Sequence, residues 1–346
     1  MSAESNLGAG APGSFNDLID LASERLGAAV VACNDDFFAP KENLIKTAVP
    51  KWLPEAYTDR GKWMDGWETR RRRDAEPGTP GVYDWCVIRL GAPGIVRGVD
   101  VHTAFFKGNY PEACAIDLAE VPDGTTPAGL AHADWAEALP QSRLAGDSHN
   151  LFPIESTSRA THVRLRIFPD GGVARLRVHG DVVADRDRLT RRGDVDLAAA
   201  ANGGFVVVCS DMFFGSRNNL ILPGDSTHMG DGWETKRRRV PGHEWTIVRL
   251  AAPGTIRRVE VDTKHFKGNA PGACSLEAAT LPSAGRSLDP AGVEWRELVP
   301  RTPLAPDTLH TFEAEVRTVS NATHVRLNIF PDGGVARLRV FGQPTP

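Results

Sequence analysis

The chain is a repeat of itself, and this limits its possible folds more than any other feature of the sequence. Cys33-Asn34-Asp35-Asp36-Phe37-Phe38 returns as Cys209-Ser210-Asp211-Met212-Phe213-Phe214. Asp65-Gly66-Trp67-Glu68-Thr69-Arg70 returns as Asp231-Gly232-Trp233-Glu234-Thr235-Lys236, each followed by three arginines. Phe106-Lys107-Gly108-Asn109 returns as Phe266-Lys267-Gly268-Asn269, and residues 162–180 match residues 324–342 at 17 of 19 positions. The offset falls from 176 to 160 because copy one is longer at residues 46–64 and 74–84 than copy two at residues 222–230 and 240–244, and it then settles at 162. Copies of about 150 residues are too long for a solenoid unit and suit independent domains. The expected organisation is a lead-in with a short helix (1–27), repeat one (28–181), a linker (182–203) and repeat two (204–346).

Within a copy the period is 2. Val99 and Val101 alternate with Asp100 and His102, and residues 162–167 alternate before a Pro169-Asp170-Gly171-Gly172 turn. Trp85 to Leu90 reads as a strand entering a Gly91-Ala92-Pro93-Gly94 turn. Thirty-four glycines and 25 prolines in 346 residues fit many short strands joined by turns. Only residues 17–26 read as helical. The expected fold class is all-β, two tandem homologous jelly-roll β-sandwiches.

Composition excludes several function classes. Forty basic against 44 acidic residues leaves a net charge of −4, with no global field for nucleic acid. The arginine block at residues 70–73 adjoins Asp74 and Glu76 and has no interleaved aromatic platform, so a small partner fits it better. No basic and apolar leader opens the sequence, and no apolar run approaches a membrane span, so no membrane partner is expected. Five widely spaced cysteines without a CxxC pair suit small core side chains in a reducing, cytoplasmic compartment. GxSxG, HExxH and P-loop motifs are missing, no GxGxxG follows a strand, and the histidines never fall at ligand spacing, so neither a metal nor a cofactor is expected.

Three charged constellations stand in both copies. Asp65 and Glu68, with Asp231 and Glu234, place paired carboxylates beside an indole and guanidinium groups. A carboxylate flanked by arginine stays ionised and can serve as a general base. These four are candidate catalytic residues, with Trp67, Trp233 and Arg70 as substrate contacts. Next, His102, Lys107 and Asn109 lie where a sandwich puts its binding loops, matched by Asp262, Lys267 and Asn269. His102, Lys107 and Lys267 are candidate proton donors, and Asn109 and Asn269 suit a urea-like group. The third is a cationic strand face of Arg164 and Arg175, matched by Arg326 and Arg337, fit to hold an anion. The competing view of each is structural: self-paired loop charges, a Gly-Asn turn, and cross-strand pairs on a solvated face. His102 against Asp262 and Arg166 against Asn328 break the symmetry.

These motifs, in order and each twice, resemble the allantoicase family, and the resemblance runs from Leu18 to Gly342. It implies galactose-binding-like jelly rolls and the hydrolysis of allantoate to ureidoglycolate and urea in purine and ureide breakdown. Arginine would clamp the allantoate carboxylate, and Asn, Asp and Glu would meet its two ureido arms. Glu68 or Asp65 would act as base, and His102 or Lys107 would protonate the departing nitrogen. A non-catalytic carbohydrate- or anion-binding sandwich is the alternative. Exposed edge strands of such sandwiches also make a homo-oligomer conceivable.

Overall fold

Alternating apolar residues become strands that close over two separate cores. The computed structural model describes residues 14–73, 79, 81–191, 193–282 and 288–345. Residues 1–13 of the lead-in, and much of the 74–84 insertion, lie outside the described residues. The chain divides after Asp181 into two compact units, Met1–Asp181 and Val182–Pro346.

In unit one the strands are β1 (Ile19–Asp20), β2 (Ala29–Cys33), β3 (Tyr57–Thr58), β4 (Gly61–Lys62), β5 (Trp67–Glu68) and β6 (Asp84–His102). They continue as β7 (Ala113–Ala119), β8 (Ala136–Arg143), β9 (His149–Pro153), β10 (Ala160–Phe168), β11 (Gly172–Val173) and β12 (Arg175–Val182). The main sheet runs β1-β12-β6-β10-β7-β8, with β2 and β9 also on β6. Unit two repeats this order with its own eight-stranded sheet. Each unit is an all-β jelly-roll sandwich.

The long strand β6 explains how one sheet makes two layers. Its first half pairs with β2 and β10, and residues 98–102 pair with β9. The Gly91-Ala92-Pro93-Gly94 segment, expected as a turn, is therefore a bend inside a continuous 19-residue strand. A Cβ on Gly94 would lie 2.5 Å from the Asp181 carbonyl oxygen, so glycine serves a close backbone crossing here rather than a reversal. Val99, Val101, Ile88, Val163, Leu165, Ile167, Leu176 and Val178 fill the space between the layers, fully buried.

Residues 17–26 do not form the expected helix. They contain β1, which pairs with Gly180 and His179, followed by a 3-10 turn over Glu24–Leu26. Asp20 decides this, because its Oδ1 accepts from the backbone nitrogens of Ala22 and Val178 and so ties the segment to the last strand. Leu18, Leu21, Ala22 and Leu26 are buried as a result. The same arrangement recurs at Val195–Asp196 in unit two, where Asp196 Oδ1 accepts from Ala198 and Val340. Tertiary pairing overrides the helical pattern.

Candidate active site

The Pro-Asp-Gly-Gly turn and the Asp-Gly-Trp-Glu motif meet at one corner of each unit. β5 pairs with β11, placing Glu68 opposite Gly172 and Trp67 opposite Val173. The Gly172 nitrogen donates to the Asn109 carbonyl at 2.8 Å, which brings in the Lys-Gly-Asn loop. Asn43 secures the corner from below by donating to the Gly66 carbonyl at 2.8 Å, as Asn219 does to Gly232 at 3.0 Å. Three motifs distant in sequence are thus held by backbone and amide hydrogen bonds.

Glu68 is half-buried at this corner. Asn109 Nδ2 donates to its Oε1 at 2.7 Å. Its other oxygen has no protein partner among the described residues. Burial pushes the Glu68 carboxyl above the usual carboxylate range, while the Asn109 hydrogen bond and the charge of Arg71 pull the other way. Arg71 Nη1 in turn donates to Asp170 Oδ1 at 3.0 Å. In unit two, Asn269 Nδ2 donates to Glu234 Oε1, so the carboxylate–amide pair is built twice. Such a pair presents one oriented acceptor oxygen beside a partly dry wall, as a general base requires.

Other expected residues are placed differently. Asp65 Oδ2 accepts from Arg175 Nη2 at 3.0 Å and from the Lys51 nitrogen at 2.9 Å. Arg175, only 1% exposed, spends its remaining donors on the carbonyls of Ala48, Asp65 and Ala174. Asp231 and Arg337 form the matching buried pair. Asp65, Asp231, Arg175 and Arg337 thus form buried ion pairs that anchor the neighbouring loops. Trp67 and Trp233 are fully buried, their indoles donating to the carbonyls of Asp35 and Asp211 at 2.8 Å, so they are core and not substrate contacts.

Arg164 and Arg326 pair across the strands with Asp117 and Glu277 and lie over Trp135 and Trp295, with no contact to Glu68 or Glu234. The expected cationic face is therefore a set of cross-strand ion pairs. Arg70 is bound to Asp35 and lies over the Phe37 ring. His102 stacks on His149 at 3.7 Å, and burial lowers it to about 4, helped by the charges of His149, Arg177 and Arg175. A ring held neutral at pH 7 carries no positive charge, so burial disfavours the imidazolium form that a proton donor would use. Lys107 and Lys267 stand exposed, paired with Asp147 and Asp307 at 3.6 and 3.7 Å. Sequence reasoning missed Arg71 and Asp170 as members of the corner. Their recurrence as Arg237 and Asp332 was the available signal.

Fold and corner together define a tandem β-sandwich carrying one carboxylate–amide pair per repeat. A family model described as the allantoicase repeat matches residues 19–183 and again 195–345. "Probable allantoicase 1" of Burkholderia mallei is 47% identical over 325 residues, covering 94% of each chain. "Probable allantoicase" of Photobacterium profundum is 46% identical over 95% of this chain and 97% of its own. The crystal structure of allantoicase from Saccharomyces cerevisiae superposes with a TM-score of 0.76 at 34% identity, covering 94% of this chain and 92% of that one. The chain belongs to the allantoicase family.

Proposed function

We propose that the protein hydrolyses allantoate to ureidoglycolate and urea, and that Glu68 with Asn109 forms its working corner, mirrored by Glu234 with Asn269. The observation that carries this reading is a half-buried carboxylate with one oxygen fixed by an amide and the other open, inside a chain of the allantoicase family. Arg71 supplies the charge for the substrate carboxylate, and its free edge faces solvent, the side chain being 60% exposed.

The chemistry balances on one carboxyl group. Glu68 Oε2 takes a proton from water, and the resulting hydroxide equivalent bonds to the central carbon. The bond from that carbon to one ureido nitrogen breaks, and the proton held by Glu68 passes to that nitrogen as urea leaves. In this scheme one carboxyl group carries the proton from water to the leaving nitrogen. In this reading the reaction belongs to the breakdown of purine-derived ureides. The five unpaired cysteines suit the cytoplasm as its compartment.

Incubation of the purified protein with allantoate should release urea and ureidoglycolate in equal amounts, and absence of both would defeat the proposal. Glu68→Gln should lower kcat by about 10²–10⁴-fold. The base must be ionised and burial raises its pKa, so the acid limb of the kcat/KM profile should lie above the ordinary carboxylate range. Glu234→Gln, measured in parallel, reports whether the second corner turns over substrate.

A further inference from the structure

Although the two corners share a carboxylate–amide pair, their cationic sides differ. In repeat one Asp170 is 2% exposed and both its oxygens are engaged. Oδ1 accepts from Arg71 Nη1 at 3.0 Å, and Oδ2 accepts from the backbone nitrogen of Arg72 at 2.8 Å. Arg72 is tied down in turn, donating to the Tyr83 carbonyl at 2.9 Å and to Asp84 Oδ1 at 2.7 Å. A buried carboxylate therefore holds one edge of the Arg71 guanidinium. The rest of that group stays open to solvent, and its charge acts on Glu68.

Repeat two has the same residue types without this arrangement. Asp332 is only half-buried and accepts from the Arg238 backbone nitrogen at 2.7 Å. Arg237, the counterpart of Arg71, is exposed and makes no ion pair among the described residues. The border of that corner is apolar: Asn269 Nδ2 lies 3.3 Å from Met229 Sδ, while Met229, Phe213 and Phe214 are 44%, 70% and 62% exposed.

We propose that Asp170 is a positioning residue that fixes Arg71 as a carboxylate clamp, and that this makes repeat one alone the copy that captures a ureido acid. A guanidinium ordered before binding loses less freedom when the ligand arrives, and the donors that Asp170 leaves free stay open to solvent. A guanidinium free in solvent must be ordered by the ligand itself. The proposal rests on the reading of the Glu68–Asn109 corner as the ureido-acid site, and its test is independent of turnover.

The probe is hydantoate (N-carbamoylglycine), which carries one carboxylate and one ureido arm and is titrated calorimetrically into the full chain. One site per chain is expected. Arg71→Met and Asp170→Asn should each weaken binding about tenfold or more, while Arg237→Met and Asp332→Asn should change it by less than about twofold. Asp170→Asn added to Arg71→Met should cause no further loss, because Asp170 acts through that guanidinium. With allantoate, Asp170→Asn should raise KM with kcat kept within about twofold, a split that general damage to the fold would not produce. Two equal sites per chain, no binding at all, or an undiminished Asp170→Asn effect in the Arg71→Met background would each overturn the proposal. Wild-type protein that binds hydantoate once but releases no urea from allantoate would defeat the hydrolytic reading and leave the clamp standing.

Discussion

At the scale of single residues, identical side-chain chemistry divides into anchors and reagents according to what surrounds it. Asp65 and Glu68 stand three positions apart, yet Asp65 is locked to the buried Arg175 and Glu68 is held by one amide with an oxygen free. Breaking the first pair strands a buried guanidinium. Asp65→Asn should therefore destabilise the protein by about 3–5 kcal/mol in urea unfolding. A loss below about 1 kcal/mol would show the pair is not an anchor. Glu68→Gln should behave oppositely. The folded-state pKa of Glu68 is raised, so the protonated group favours the fold, and that contribution fades as pH rises through the raised value. At pH 7 the neutral Gln should leave stability unchanged or slightly higher, whatever it does to turnover.

At the scale of elements, the corner depends on close backbone approach at the Asp-Gly-Gly turn. A Cβ on Gly172 would lie 1.9 Å from Phe106 Cε1, and one on Gly334 would lie 1.9 Å from Phe266 Cε1. Both phenylalanines are fully buried, so neither ring can yield cheaply. Gly172→Ala should cost about 1–3 kcal/mol and, by shifting β11 away from Glu68, should also lower activity. Gly108→Ala is the control, since no atom lies within 4 Å of its new methyl. Equal melting temperatures for the two variants would contradict the packing at Phe106. The strands themselves were legible from period 2. The bend in β6 was not, because Gly-Ala-Pro-Gly suits a turn as well as a close crossing, and only the Asp181 carbonyl above Gly94 distinguishes them. For residues 17–26 the apolar spacing pointed to helix, whereas the Asp20 hydrogen bond to Val178 drew them into the sheet.

At the scale of the molecule, each half has its own eight-stranded sheet and its own buried apolar interior, and the division falls at Asp181. Residues 1–181 expressed alone should show one cooperative thermal transition, since this unit carries its own eight-stranded sheet. A molten or aggregated product would mean that the core needs the other half. Segments 15–26 and 195–202 belong inside their sandwiches through Leu21, Ala22, Leu197 and Ala198, so a cut meant to separate the repeats belongs between Asp181 and Val195.

The sequence by itself determined the duplication, the all-β class, the family and the motifs that converge on each corner, because strand period, turn chemistry and repetition are local properties of the chain. Glu68, Asn109 and their twins were among its candidates. Tertiary structure decided which charges remain available. Whether Arg175 clamps a ligand or a loop, whether His102 carries a proton and whether Arg71 is held by Asp170 all depend on burial and on partners about 40 to 130 residues away along the chain. Residue identity sets what a group can do, but the neighbours that desolvate it or take up its hydrogen bonds are chosen by the fold.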